Sequence, residues 1–423
     1  MPEATISALR AASWLVPACA VSLTLALRPP RARAGAAAIV STCWCLVALL
    51  FADPLASRVG WWRFHADGGL VAGMPIETWL GWAVAWGALP ALVLPRIRVA
   101  PIVVAVGAWD WIAMPRLAPL VELGEAWLAG EAVALACVLA PGLWLTRLTL
   151  EDRSVAVRAV LQCATFTGVT FWLFPVVAFS GEPDLLAARI ASRGAPHPVL
   201  LALGGPLVVL ALAAVAEFVR GGGTPLPLDP PRTLVTSGPY AFVRNPMQLA
   251  TSVLLALEAA WLESLWLAAA VPLSVVYSAG LAAFDESIDM QRFGPAYERY
   301  RTVVRAWLPR WRPHRDRDAT LYFGAGCGVC EDFARLLLRL APTRLAFVPA
   351  QQYEARVLTR LTYRDGDYEA AGVHALARSL EHAALPLALL GFAMRAPLVV
   401  TILQWIADAS GGGPRELPRA APR

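Results

Sequence analysis

The sequence predicts a mainly α-helical protein that crosses a membrane about nine times and ends in a small α/β domain. Hydrophobic residues make up 58% of the 423 residues, charged residues only 16%, and the mean hydropathy is +0.56. Soluble domains are nearer ~45–50% apolar and ~25% charged, so this composition excludes an ordinary soluble protein. From Arg310 onward the long apolar runs give way to a more polar pattern of short segments, which indicates the α/β domain.

Nine apolar runs come close to the roughly 20 apolar residues that a bilayer-spanning helix needs. They cover residues 8–27, 35–52, 77–95, 99–115, 127–146, 157–179, 198–219, 246–261 and 264–284. The last two runs are short and only a few residues separate them, so we expect them to form a helical hairpin.

Basic residues are concentrated in alternate loops between these runs. These loops contain Arg28, Arg31, Arg33, Arg96, Arg98, Arg147, Arg153, Arg158, Arg220, Arg232 and Arg244. The positive-inside rule places them in the cytoplasm, with the N-terminus outside and the C-terminal domain cytoplasmic. We therefore expect a multi-pass protein of the cytoplasmic or inner membrane, in contact with lipid. The net charge of +5 follows from these loops, and no nucleic-acid partner is expected.

A polar segment in the last third of the membrane region has defined backbone chemistry. Gly238–Tyr240 predicts a turn, because Gly permits unusual φ and Pro restricts φ. Asn245-Pro246 predicts a helix start, where free N–H groups and the positive dipole end favour an anion. Arg244 beside this start can pair with a carboxylate, and the later acidic pair Asp285 and Glu286 can face a cation on the opposite wall.

The order of these motifs resembles the integral-membrane methyltransferases typified by isoprenylcysteine carboxyl methyltransferase, with phospholipid N-methyltransferases as relatives. The resemblance covers about 198–312. It implies S-adenosylmethionine as cofactor, and its cofactor-binding positions correspond here to Tyr240, Arg244, Asn245, Pro246, Gln248, Asp285 and Glu286. Two positions depart from the family pattern: Gln248 stands where Tyr is usual, and Asp285 stands where the first acid is usually Glu.

The resemblance also implies the acceptor side of the reaction. A lipid-soluble acceptor, isoprenoid or phospholipid-like, is expected to enter from the bilayer. Arg305, in the closing segment Val304–Pro309, is the candidate to face it. If the acceptor is a hydroxyl or a protonated amine, it needs a base, and Glu286 is the nearest catalytic candidate. The prenylcysteine substrate of the family is not transferred to this chain.

Four acids fall inside apolar runs, namely Asp110, Glu131, Glu217 and Glu258. A charge at a helix centre costs roughly 2.5–3.5 kcal/mol on insertion scales, so these side chains are expected to face protein or water. Glu217 lies near the predicted cytoplasmic end of its span, where it is expected to reach the interface. Glu258 lies in the predicted hairpin and is the candidate for a functional role.

The region 1–150 forms the N-terminal membrane domain, and about 35–115 of it is similar to heterodimeric-type lycopene cyclases. The resemblance rests on Trp61–Phe64 and on Gly73–Trp82. That family has two adjacent acids at the helix start, candidates to protonate a polyene. Here only Glu77 is present and Thr78 occupies the second place. The alternative is an isoprenoid-shaped scaffold with interfacial tryptophans.

The region 313–423 contains Leu321–Cys330, a strand, a glycine loop, a CxxC pair and a helix. This context predicts a thioredoxin-like domain, and about 318–418 resembles the DCC family of thiol-disulfide oxidoreductases. Cys327 at a helix N-terminus is expected to be the attacking thiolate and Cys330 the resolving one, with a thiol as partner. A zinc site would need two further ligands, and a Rossmann methyltransferase loop at Gly324–Gly328 would need more chain than follows.

Other elements of the C-terminal region are predicted from its pattern. Strands are expected at Ala319–Phe323 and Arg344–Val348, and helices at Glu331–Leu340 and Gly372–His382. Two apolar segments, 385–395 and 397–408, are expected to be helices that lie against the membrane or pack on the small domain.

Together these observations predict a polytopic α-helical membrane protein with three parts: 1–150, a methyltransferase-like domain at 155–312, and a thioredoxin-like α/β domain at 313–423. The expected function is S-adenosylmethionine-dependent methyl transfer to a lipid-soluble acceptor. Two alternatives stay open. One is a membrane-linked thiol-disulfide oxidoreductase that uses the CxxC domain, and the other is a non-catalytic isoprenoid- or carotenoid-binding scaffold.

Overall fold

The long apolar segments fold into helices that are separated by loops with Pro, Gly and Arg. In a lipid bilayer the backbone N–H and C=O groups must bond to each other, and a helix satisfies this requirement. The computed structural model describes residues 2–93, 97–325, 328–353 and 355–414. Its helices are α1 (Pro2–Leu27), α2 (Ala32–Val59), α3 (Ile76–Ala83), α4 (Leu89–Val93), α5 (Val99–Ala113), α6 (Trp127–Ala134), α7 (Ala140–Leu150), α8 (Val155–Gly168), α9 (Phe174–Ala178), α10 (Pro183–Arg193), α11 (Pro198–Arg220), α12 (Pro246–Leu262), α13 (Leu265–Phe293), α14 (Pro295–Val303), α15 (Gly328–Arg339), α16 (Val373–Leu380), α17 (Leu385–Met394) and α18 (Pro397–Ala407).

Eight short strands accompany the helices in the described chain. They are β1 (Trp62–Phe64), β2 (Leu70–Val71), β3 (Met74–Pro75), β4 (Val121–Leu123), β5 (Ala319–Phe323), β6 (Leu345–Pro349), β7 (Thr362–Asp365) and β8 (Tyr368–Ala371). The strands β1 and β4 pair antiparallel, and so do β2 and β3. The remaining four form one sheet.

Seven helical segments in the part of the chain that the structure describes are long and apolar enough to cross a membrane. They are Glu3–Leu27, Ala32–Val59, Ile76–Val93, Trp127–Leu150, Val155–Ala178, Pro198–Arg220 and Leu265–Phe293. The other two predicted spans are shorter helices: α5 has 15 residues and α12 has 17. The bent pair formed by Leu385–Met394 and Pro397–Ser410 would bring the number to eight.

Three of these spans contain a π-helical turn, and each turn ends two residues before a proline. The pairs are Val84–Ala88 with Pro90, Leu135–Leu139 with Pro141, and Val169–Leu173 with Pro175. A proline in a helix removes one N–H donor and its ring clashes with the carbonyl four residues earlier. The wider π turn relieves that clash, and the helix therefore continues past the proline instead of ending.

The chain folds as two compact units. The first consists of the described residues in Met1–His197, Gly222–Arg232 and Leu255–Val276, and the second of those in Pro198–Gly221, Thr233–Leu254 and Tyr277–Arg423. In the main core of the first unit, α2 packs against α3 and α7. This core includes Leu50, Met74, Trp86, Leu139 and Leu143.

The second unit contains α11 and the four-stranded sheet, whose strand order is β6-β5-β7-β8. Strand β5 is parallel to β6, while β7 is antiparallel to both β5 and β8. The predicted strands and helices of this region are confirmed to within one to three residues, but the hairpin β7–β8 was not predicted. Helix α17 packs on α11 in a small core that contains Leu210, Ala388 and Phe392, and the Phe392 ring lies against Phe242.

Candidate cofactor site

The segment that follows the Gly238–Tyr240 turn pairs with the segment that follows α14. The Arg244 N–H donates to the Arg305 carbonyl at 3.0 Å, and the Asn245 N–H donates to the Ala306 carbonyl at 3.3 Å. The Asn245 side chain donates to the same Ala306 carbonyl at 3.2 Å. Backbone pairing thus holds the start of α12 beside the closing segment, although about 60 residues separate them in the sequence.

Arg244 and Glu286 form an ion pair at the centre of this arrangement. Arg244 Nη1 lies 2.5 Å from Glu286 Oε1, and the two side chains are 15% and 31% exposed. The same nitrogen lies 3.5 Å from the Tyr297 hydroxyl, and Arg301 Nη1 lies 3.4 Å from Glu286 Oε1. Arg244 precedes α12 and Glu286 lies on α13, so the arginine and the acid come from two different elements and contact each other directly.

The electrostatics of the pair follow from its partial burial. Burial disfavours the charged guanidinium, but the hydrogen bond and charge of Glu286 outweigh it, so the pKa of Arg244 is raised. Burial and then the charge of Glu286 raise the pKa of Tyr297 to about 12. At neutral pH, Arg244 is therefore a cation and Tyr297 a neutral hydroxyl that accepts a hydrogen bond from it.

Tyr240 occupies the turn that precedes Arg244. Gly238 adopts φ +59°, a conformation that side-chain-bearing residues rarely adopt, and this turns the chain into the short 3₁₀ segment Gly238–Ala241. The Tyr300 hydroxyl donates to the Tyr240 carbonyl at 2.7 Å, and the Tyr240 ring stacks on Phe218 at 5.2 Å. Burial raises the pKa of Tyr240, so its hydroxyl stays protonated at neutral pH.

Two buried polar atoms at this site have no hydrogen-bond partner among the described residues: Arg244 Nε and the Tyr240 hydroxyl. Unpaired buried polar groups are unfavourable, because each has lost its water partners. Helix α12 begins two residues after Arg244, and the N–H groups of its first turn favour an anionic group. The donor set therefore fits a ligand that carries a carboxylate and further polar atoms, as S-adenosylmethionine does.

The remaining predicted site residues differ in how far they are buried. Pro246 is buried at the first position of α12, and Gln248 is half-buried in its first turn. Asp285 precedes Glu286 on α13 and is half-buried. Arg305 is exposed, and its contribution to the described site is its backbone carbonyl.

Tyr297 and Tyr300 were not predicted as site residues, although their spacing is a visible motif. Residues three positions apart lie on one helical face, and here that face of α14 is turned to Arg244 and Tyr240. This periodicity was the available signal for the two tyrosines.

The predicted interfacial position of Glu217 is wrong. Its side chain is 3% exposed and lies 3.0 Å from Arg395 and 3.1 Å from Arg378. Glu131 is buried as expected, with 5% exposure, and Glu258 is half-buried. At the N-terminal region, Arg10 contacts Glu77 at 2.9 Å, so the single acid of the cyclase-like motif is ion-paired.

The CxxC pair was predicted at Cys327 and Cys330. Cys327 lies outside the described residues, and the side chain of Cys330 is also not described. Helix α15 begins at Gly328, directly after the first of the two cysteines.

Comparison with protein-family models, with curated proteins and with solved structures finds no match for this chain.

Proposed function

We propose that this protein is an integral-membrane, S-adenosylmethionine-dependent methyltransferase that acts on a lipid-soluble, isoprenoid or phospholipid-like acceptor. The observation that carries the proposal is the Arg244–Glu286 ion pair with Tyr297 beside it. Three motifs that resemble those of membrane methyltransferases, and that are widely separated in the sequence, contribute one residue each to this contact.

In this proposal Arg244 and the N-terminus of α12 hold the cofactor carboxylate, and the ion pair with Glu286 holds the Arg244 side chain in place. Tyr240 offers its unpartnered hydroxyl to a polar group of the cofactor. Asp285 and Glu286 supply negative charge toward the ammonium and sulfonium groups. The bound cofactor would supply an electrophilic methyl group, and the protein would mainly hold the acceptor in register with it.

The acceptor chemistry sets the remaining requirement. A carboxylate or thiolate acceptor is already nucleophilic, whereas a hydroxyl or an ammonium must lose a proton first. In the proposal Glu286 accepts that proton, and Arg305, whose side chain is exposed, contacts the head group of the acceptor. The site belongs on the cytoplasmic side of an inner or cytoplasmic membrane, where the cofactor is available.

A direct test is a methyl-transfer assay with membranes that contain the full chain. The methyl group of S-adenosylmethionine is labelled, and the lipid extract is then analysed for label. The proposal predicts that the wild type labels a lipid. The label should be absent with Glu286→Gln and retained with Glu298→Gln, which changes an exposed acid on α14. Equal labelling by wild type and Glu286→Gln would contradict the assignment.

A second candidate, a thiol-disulfide oxidoreductase, is favoured by one observation. The sheet begins with β5, α15 and a parallel β6 and continues with the antiparallel hairpin β7–β8, an arrangement that supports a thioredoxin-like domain. Its test is Cys327→Ser. This variant should abolish disulfide reduction of a model substrate and leave lipid methylation unchanged, whereas loss of methylation would link the two activities.

A further inference from the structure

A cavity of about 210 Å³ lies in the second unit, between the end of α11, the segment 233–237 and the C-terminal sheet. Its polar wall contains three arginines, two acids and two tyrosines: Arg220, Arg315, Arg378, Glu217, Asp365, Tyr363 and Tyr368. The residues that line it are all different from those of the proposed cofactor site. The proposed cofactor site therefore does not account for this cavity.

The buried charges beside this cavity do not balance. Arg315, Arg378 and Arg395 have side chains only 5–7% exposed, and they face two buried carboxylates, Glu217 and Glu381. Arg378 and Arg395 each contact both acids, at 2.6–3.1 Å. Among the described residues, two buried carboxylates therefore face three buried guanidiniums, and this excess of buried positive charge is unfavourable unless another anion is present.

Arg315 is the guanidinium that remains. Its nearest carboxylate oxygen, Glu381 Oε2, lies 3.8 Å away and already accepts a hydrogen bond from Arg378. The Arg315 Nε has no hydrogen-bond partner in the described part of the chain. Asp365 also lines the cavity and is 24% exposed; its Oδ1 has no hydrogen-bond partner in the described part of the chain and lies 3.7 Å from Nε of the exposed Arg317.

We propose that this cavity is a binding site for a small oxyanion, a phosphate or carboxylate group of a metabolite, with Arg315 as its main partner. A planar guanidinium with a free Nε–H matches two oxygens of such a group. Arg220 at the cavity wall adds positive charge, and the Tyr368 hydroxyl adds a donor. The bound anion supplies the negative charge that the buried cluster lacks.

Isothermal titration calorimetry on the detergent-purified full chain tests this site, with inorganic phosphate and succinate as separate probes. Chloride keeps the ionic strength constant. Calorimetry is preferred over a melting shift, because phosphate stabilises many proteins through exclusion from their surfaces. We expect saturable binding of at least one probe, and the two arms distinguish a phosphate ligand from a carboxylate ligand.

Three variants give the test its specificity. Arg315→Gln should weaken binding by about tenfold or more, since a charge-assisted pair is lost. Arg299→Gln, an exposed arginine on α14, should bind like wild type. Arg244→Ala should also bind like wild type, which separates this site from the cofactor site. If Arg315→Gln does not fold, Tyr368→Phe takes its place and should bind more weakly than wild type.

Three results would overturn the proposal. One is the absence of saturable heat with both probes in folded wild type. Another is equal affinity in wild type and Arg315→Gln, or in wild type and Tyr368→Phe where that variant is used. The third is loss of binding in Arg244→Ala with retention in Arg315→Gln, which would assign the anion to the cofactor site. None of these depends on whether the protein transfers methyl groups.

Discussion

The carboxylate of Glu217 accepts a hydrogen bond from Arg395, 178 positions later in the chain, at 3.0 Å. Glu217 also accepts a hydrogen bond at 2.9 Å from the Ser237 hydroxyl, and Ser237 directly precedes the Gly238 turn. One buried acid therefore joins α11 to the C-terminal domain and to the turn that leads into the proposed cofactor site. Its position explains why an acid is retained in an otherwise apolar helix.

Glu217→Gln should destabilise the second unit by about 3–5 kcal/mol, because it removes the negative partner of buried arginines. The measurement is urea unfolding of the detergent-solubilised chain, followed by pulse proteolysis of the C-terminal domain. Glu298→Gln, at an exposed position, should leave the midpoint unchanged. A midpoint for Glu217→Gln equal to that of wild type would show that the buried pair contributes nothing to stability.

Gly238→Ala should disturb the turn before the cofactor site. Its φ of +59° is strained for alanine, and the added Cβ would lie 2.6 Å from Glu217 Cγ. Strain of this kind costs about 1–3 kcal/mol. The matched control is Gly205→Ala in α11, where an added Cβ meets open space and alanine favours the helix. We expect lower thermal stability and weaker S-adenosylmethionine binding for Gly238→Ala alone, and unchanged values would contradict the description of the turn.

His382 should make the C-terminal domain less stable in acid. Burial, followed by the charge of Arg315, lowers its pKa to about 3. Its Nε2 lies 2.8 Å from the Tyr363 hydroxyl, and its Nδ1 lies 2.7 Å from the Thr343 carbonyl. The unfolded chain takes up the proton near pH 6.5, so this stability is complete above that value. It is lost as the pH falls toward 3, by about 1.4 kcal/mol per pH unit.

Pulse proteolysis in urea at pH 7.5 and pH 5.0 measures this dependence. The wild type should lose about 2 kcal/mol between pH 7.5 and 5.0 through this one histidine. The variant His382→Gln should be less stable at pH 7.5 and show a smaller change with pH. The same pH dependence in both proteins would mean that His382 does not remain neutral in the folded domain.

Hydrophobic runs were sufficient to predict most of the helices, because burial of apolar segments decides them locally. They did not predict which runs are long enough to span a membrane: α5 and α12 are shorter helices. The hairpin β7–β8 was also not predicted, because the short segments Thr362–Asp365 and Tyr368–Ala371 have little hydrophobic pattern of their own. Their pairing with β5 is a long-range contact that local sequence does not encode.

In the candidate site, too, local features could be predicted from the sequence and long-range contacts could not. Gly238, Arg244 and Glu286 could be selected from motif chemistry alone, because each residue type suits its backbone position or its charge. The direct contact between Arg244 and Glu286 could not, since it depends on how α13 is placed beside the start of α12. Glu217 was assigned to the membrane interface because its partners, Arg378 and Arg395, lie more than 150 residues away and belong to a different sequence region.

Calorimetric titration of S-adenosylmethionine into the detergent-purified chain is the decisive measurement for the Arg244–Glu286 centre. Wild type and Glu298→Gln should bind the cofactor saturably, and Arg244→Ala and Glu286→Gln should lose about tenfold or more in affinity. If folded wild type does not bind the cofactor, or if both site variants bind it with unchanged affinity, the proposed cofactor site is wrong.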